Sequence, residues 1–138
     1  MVKKNIRNIL TLPLFMIFLG LCNCTKAPMN GHLDGRWQIL EIEENGQVRN
    51  VKDDQLYYNF YMHVCALSYY GNYLTEANMR YENDEIWLQF PYVQTPEGYE
   101  RLKSYGIYSN PVTFNVEYLS RSKLIMKEGD VIITLRKF

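Results

Sequence analysis

The sequence predicts an all-β fold, a small up-and-down antiparallel barrel of about eight strands with one short helix near 96–105. Turn signals recur at short intervals, at Asn45-Gly46, Gly71-Asn72, Asn83-Asp84, Ser120-Arg121-Ser122 and Glu128-Gly129-Asp130. Between them lie runs rich in Ile, Val, Leu, Phe and Tyr, the pattern of hairpins joined in chain order. Within the clearest runs, apolar and polar residues alternate, which gives each strand one face for a core. The chain carries twelve Tyr, six Phe and two Trp, an aromatic load suited to strands. Wrapping such strands into a cylinder removes the sheet edges that invite aggregation. A two-sheet sandwich is the alternative architecture.

Strands are expected near 35–44, 47–51, 56–69, 73–82, 85–92, 112–118, 123–127 and 131–137. In 56–69 the even positions Leu56, Tyr58, Phe60, Met62, Val64 and Ala66 form the apolar face. Tyr61, His63 and Cys65 share the other face. Val112, Phe114, Val116 and Tyr118 repeat the pattern, and Ile86, Leu88 and Phe90 leave Trp87 on the outer or rim side. In the last two strands Ile125 and Ile132 interrupt the alternation. The helix has Thr95 as cap, Pro96 at its first position and a Glu97–Arg101 pair four residues apart. Tyr99, Leu102 and Tyr105 share one helical face, which fits a cover over one end of the barrel.

At the N-terminus, Lys3, Lys4 and Arg7 precede an apolar run from Ile9 to Leu21 that ends at Cys22 and Cys24. Thirteen residues are too few to span a bilayer comfortably, so the run reads as the apolar region of a secretory signal. A signal that ends at a cysteine resembles that of bacterial lipoproteins, whose cysteine is acylated and becomes the mature N-terminus. The chain then divides into a signal peptide (1–23), a flexible tether (24–32) and a barrel domain (33–138). Cys24 is the expected attachment site, with Leu21 three residues before it and Asn23 immediately before it. Cys22 is the alternative, although the bulky Leu21 directly before it fits a peptidase pocket less well. A lipid anchor would hold the domain in the cell envelope, with the outer membrane as the expected location, its periplasmic or surface face unassigned.

Loss of the signal leaves about 115 residues, enough for one modest core. It also removes three of fifteen basic residues and none of the fifteen acidic ones. The resulting acidic balance, with no basic cluster, argues against a nucleic-acid partner. With Cys24 acylated, Cys65 is alone in the mature domain and no internal disulfide can form.

Gly35-Arg36-Trp37 opens the first strand, and Arg136 lies near the end of the last. This layout resembles the Gly-x-Trp signature of lipocalins and related calycin barrels, and the whole chain is similar to bacterial lipocalin-like lipoproteins from about residue 31 onward. The resemblance implies that Trp37 closes the barrel base, that Gly35 belongs to the same motif, and that Arg136 packs across the indole. It further implies a binding module without catalysis. A lipocalin Thr-Asp-Tyr motif is absent, and the domain is short for that family.

His63 and Cys65, two apart in one strand, bring an imidazole and a thiol to one face beside Tyr61. That pairing suits soft-metal binding or a thiol–imidazole couple, but no third ligand is indicated, and packing among tyrosines is the preferred reading. No phosphate loop, nucleophile elbow or Cys-x-x-Cys signature occurs, and no cofactor is expected. The expected function is capture of a small apolar or amphipathic ligand among Tyr58, Phe60, Met62 and Phe114. The alternative is an accessory envelope lipoprotein whose outer tyrosines, Tyr57, Tyr61, Tyr69, Tyr70 and Tyr73, contact a protein or glycan.

Overall fold

The computed structural model describes residues 28–138; the signal segment, Cys22 and Cys24 lie outside them. The strands are β1 (Gly35–Glu44), β2 (Gln47–Asn50), β3 (Leu56–Tyr61), β4 (Val64–Tyr69), β5 (Asn72–Glu82), β6 (Glu85–Gln89), β7 (Val112–Leu119), β8 (Lys123–Glu128) and β9 (Val131–Lys137). One α-helix, α1 (Pro96–Ser104), lies between β6 and β7. All pairings are antiparallel, and β1 also pairs with β9, which closes the sheet. The result is an eight-stranded barrel of β1 and β3–β9.

The ninth strand sits outside the closed wall. The first half of β1 pairs with β3, from Gly35↔Phe60 to Gln38↔Tyr57, and its second half pairs with β2. All four residues of β2 are exposed, and the second half of β1 pairs with β9 on its other side, so β2 is an edge strand added to the rim of the wall. A 3-10 turn at Lys52–Asp54 carries the chain back into the wall. The expected strand 56–69 is corrected in turn. It is a hairpin that turns at Met62-His63, with Met62 at a positive φ of 53°. The barrel therefore has eight strands, but not the eight that the sequence pattern suggests.

The hairpins place alternate connections at opposite ends. The β3–β4, β5–β6 and β7–β8 turns lie at one end, the base, together with a 3-10 turn at Gly31–Leu33. The β4–β5 and β8–β9 turns and the whole excursion carrying α1 lie at the other end, the mouth. Positive φ at both central residues of Asn45-Gly46, Tyr70-Gly71 and Asn83-Asp84 matches the twist that tight hairpins require. The residues 24–32, expected as a tether, become docked chain by Asn30. Its side chain donates to the Met62 carbonyl at 2.8 Å and to Asp34 at 2.7 Å.

Inward positions follow the two-residue period: Cys65 and Leu67 in β4, Ala77 and Met79 in β5, Ile86 and Leu88 in β6. Leu124 and Met126 in β8 and Ile133 and Leu135 in β9 complete the wall, leaving Ile125 and Ile132 half-buried on the other face. Trp87 faces outward beneath Arg80, whose guanidinium lies 4.3 Å from the indole centre. Aromatic side chains occupy the interior. Trp37, Tyr58, Phe60, Phe90, Tyr105 and Phe114 are all fully buried, as expected of a barrel this narrow.

Candidate functional site

At the base, Trp37 is fully buried and its indole Nε1 donates to the Leu33 carbonyl at 2.8 Å. The cation across the ring is Lys137, not Arg136. Lys137 Nζ lies 5.1 Å from the indole centre and donates to the His32 carbonyl at 2.8 Å. Burial lowers the pKa of this lysine, and Asp34 partly opposes the shift. Gly35 has φ of +132°, a conformation that side-chain-bearing residues rarely adopt. A Cβ there would stand 2.6 Å from Lys137 Cε, so the glycine clears the path of the lysine to the indole. Arg136 points to the other face, where its Nε and Nη2 donate to Gln38 Oε1 at 3.0 and 2.8 Å. Gln38 in turn donates to the Lys52 carbonyl at 3.0 Å, which ties β9, β1 and the turn after β2 together. Arg36 lies over Tyr57 at 4.0 Å and Phe138 at 5.1 Å.

The interior holds three of the four expected ligand-lining residues. Tyr58, Phe60 and Phe114 are buried, but they pack against one another and their neighbours. Tyr58 stacks on Phe60 and meets Tyr105 edge-on, with ring centres 5.7 and 6.0 Å apart. The Tyr58 hydroxyl donates to the Tyr105 carbonyl at 2.7 Å, and the Tyr105 hydroxyl donates to the Ser68 carbonyl at 2.7 Å. Burial pushes both phenols above their ordinary range. Met62 does not join this group; it sits in the β3–β4 turn, 42% exposed.

The turn at Met62 also separates the expected Tyr61, His63 and Cys65 face. Cys65 points inward and is fully buried, while Tyr61 and His63 are exposed. Burial drives the Cys65 thiol well above its ordinary pKa, so it stays protonated and unreactive near neutrality. Among the described residues no group of three His, Cys, Asp or Glu is placed to hold a metal.

The open surface lies at the mouth. Thr95 Oγ1 accepts from Gly98 N at 3.1 Å and starts α1 as the sequence predicts. Asn110 clamps the other side of the excursion, accepting from Phe90 N at 2.8 Å and donating to the Phe90 carbonyl at 2.9 Å. Leu102 and Tyr105 cover the barrel, whereas Tyr99 is exposed, and Glu100 rather than Glu97 makes an ion pair, with Lys103. Between α1 and the start of β5 runs a groove of about 440 Å³, walled by Tyr73, Leu74, Tyr92, Val93 and Arg101. A second groove of about 400 Å³ shares Leu74 and Arg101 with the first and continues past Leu56, Tyr69, Ser104 and Tyr105. Tyr73 and Tyr92 are 63% and 72% exposed. Partial burial, with Glu76 and Tyr92 beside it, raises the Tyr73 pKa.

The tyrosines expected around one hairpin fall in three places: Tyr69, Tyr70 and Tyr73 at the mouth, Tyr61 at the base, and Tyr57 buried under Arg36. Sequence reading missed Tyr92 and Arg101 as partners of this patch. The available signal for Arg101 was helical spacing, which puts it one turn before Tyr105 on the same side of α1.

Comparison with known proteins agrees with this geometry. A family model described as a lipocalin-like domain matches residues 18–138. The crystal structure of a lipocalin-like protein from Bacteroides uniformis ATCC 8492 superposes with a TM-score of 0.63 at 25% identity, covering 78% of this chain and 100% of that one. An uncharacterised protein from Bacteroides eggerthii DSM 20697 shares the fold, with a TM-score of 0.60, 21% identity and coverage of 76% and 98%. No curated protein matches the chain. With its Gly-x-Trp base, closed eight-stranded wall and helix-covered mouth, the chain belongs to the lipocalin-like domain family.

Proposed function

We propose that this protein is an exported, lipid-anchored, non-catalytic binding module that takes a small apolar or amphipathic ligand at the barrel mouth rather than inside the barrel. The observation that carries the reading is the contrast between a filled interior and a pair of joined grooves beside α1. Their volumes, about 440 and 400 Å³, lie within the range of small-molecule sites.

The anchor and the mouth fit one arrangement. From Asn30 onward the chain is docked at the base, and only Thr25 to Met29 separate it from Cys24. Such a segment reaches about 20 Å at most. An acylated Cys24 would therefore hold the base toward the lipid and turn the mouth away from it. Acyl labelling should survive Cys22→Ala and disappear in Cys24→Ala; labelling unchanged by the second substitution would refute the anchor.

The ligand reading is tested by titrating the chain with N-phenyl-1-naphthylamine, a neutral fluorescent apolar probe. Tyr73→Ala, in the first groove, and Tyr69→Ala, in the second, probe both halves of the site, and at least one should weaken binding several-fold. Binding that ignores both substitutions, or no binding by the parent chain, overturns the mouth as the site. A second reading, contact with an envelope protein or glycan, draws on exposed Tyr69 and Tyr70, whose rings meet edge-on at 4.5 Å. A photocrosslinker at Tyr70 should then capture one specific partner in cells, and its failure to do so removes this reading.

A further inference from the structure

We infer that the ligand of the mouth is an amphipathic anion whose negative head pairs with Arg101 and whose apolar body lies along Leu56, Tyr69, Leu74 and Tyr105. This rests on the mouth being the binding site and adds the chemical class of what binds there.

The argument starts from the position of Arg101 in the last turns of α1. It lines both grooves and, with Leu74, forms their junction. Among the described residues it is the one charged side chain of the second groove; the other walls are Leu56, Tyr69, Leu74, Ser104 and Tyr105. A groove with apolar walls and a single cation is complementary to an apolar body carrying one negative group.

The charge on Arg101 is also uncommitted. Glu97 lies one turn before it and Glu100 directly before it, yet neither is paired with it. Glu100 instead holds Lys103 at 2.6 Å, and among the described residues the Arg101 guanidinium makes no hydrogen bond or ion pair. Its planar fork of five donors, matched to carboxylate or sulfonate oxygens, is thus available at the groove junction.

Glu97 fixes the direction of the ligand. It lines the first groove and not the second. An anionic head displaced toward Glu97 meets repulsion, so the body extends the other way, over Leu56 and Tyr69. Ser104 supplies the polar edge of that second groove.

The test compares 1-anilinonaphthalene-8-sulfonate with the neutral N-phenyl-1-naphthylamine on the whole chain. Arg101→Gln should reduce the preference for the sulfonate over the neutral probe by about two- to fivefold, the loss expected for one ion pair at an exposed site. Arg101→Lys should keep part of it. Salt should weaken sulfonate binding to the parent chain and have little effect on the Arg101→Gln variant. Arg121→Gln, at the base turn between β7 and β8, should leave both affinities unchanged. If the neutral probe binds at the mouth, as Tyr69→Ala or Tyr73→Ala reports, but the preference ignores Arg101, the anionic class is wrong and the mouth remains the site. If neither probe binds, both readings fall.

Discussion

At the base of the barrel Trp37 is fully buried, with a carbonyl accepting from its nitrogen and Lys137 across its ring. At the mouth, Tyr73 and Tyr92 stand mostly in water around an arginine with no partner among the described residues. Both ends are made of tight hairpins and both carry aromatic and cationic side chains. They differ in whether those groups are spent on one another. At the base the cation, the indole and the incoming chain satisfy each other, which gives closure. At the mouth they are left facing outward, which gives the open surface proposed as the binding site.

The largest expected effect lies at the base. Trp37→Ala should cost about 3–5 kcal/mol in chemical denaturation, because it removes the largest buried side chain from a packed floor. A loss under about 1 kcal/mol would mean that the base is no better sealed than the mouth.

The buried titratable groups of the interior give the next test. Burial raises the pKa of Tyr58, Cys65 and Tyr105 in the folded chain. The unfolded chain therefore loses these protons first as pH rises. Stability should be intact below about pH 8.5 and then fall by about 1.4 kcal/mol per pH unit for each group that has ionised only in the unfolded state. Urea midpoints measured between pH 8 and pH 10.5 report this. A flat profile would show that water reaches these groups in the folded barrel.

Substitutions at the last two strand positions sharpen the base assignment. Lys137→Met should cost about 0.5–2 kcal/mol through the lost contact with the indole, and it should blue- or red-shift Trp37 emission. Arg136→Met should leave that emission unchanged, since its partner is Gln38. The smallest effect belongs to the mouth: Tyr92→Ala should change stability by no more than about 0.5 kcal/mol. A larger loss would make Tyr92 part of the core rather than of a binding surface.

The barrel was legible from alternation wherever a turn carried Asn or Gly, as at Asn45-Gly46 and Asn83-Asp84. It failed at Met62-His63, where neither residue signals a turn and the apolar alternation of Tyr58 and Phe60 runs on through Val64. One unmarked turn shifted the register, so that Cys65 and Leu67, not Val64 and Ala66, face inward. The Trp37 partner was legible in principle. Ile133 and Leu135 point inward, and the same period carries Lys137, not Arg136, toward the base. The mouth grooves were not legible, because their walls come from residues between Leu56 and Tyr105 that only the closed barrel brings together.

The pairing of β1 with β9 has a kinetic consequence. Every other neighbouring pair in the wall is joined by a hairpin or a short excursion, but this seam unites Gln38 with Arg136, 98 residues apart. Such a long loop is costly to close early, so local hairpins should nucleate first and the seam should zip up late, giving refolding on a scale of roughly milliseconds to seconds. Until it does, β1 and β9 each present a bare edge, and that interval is when chains are most apt to aggregate.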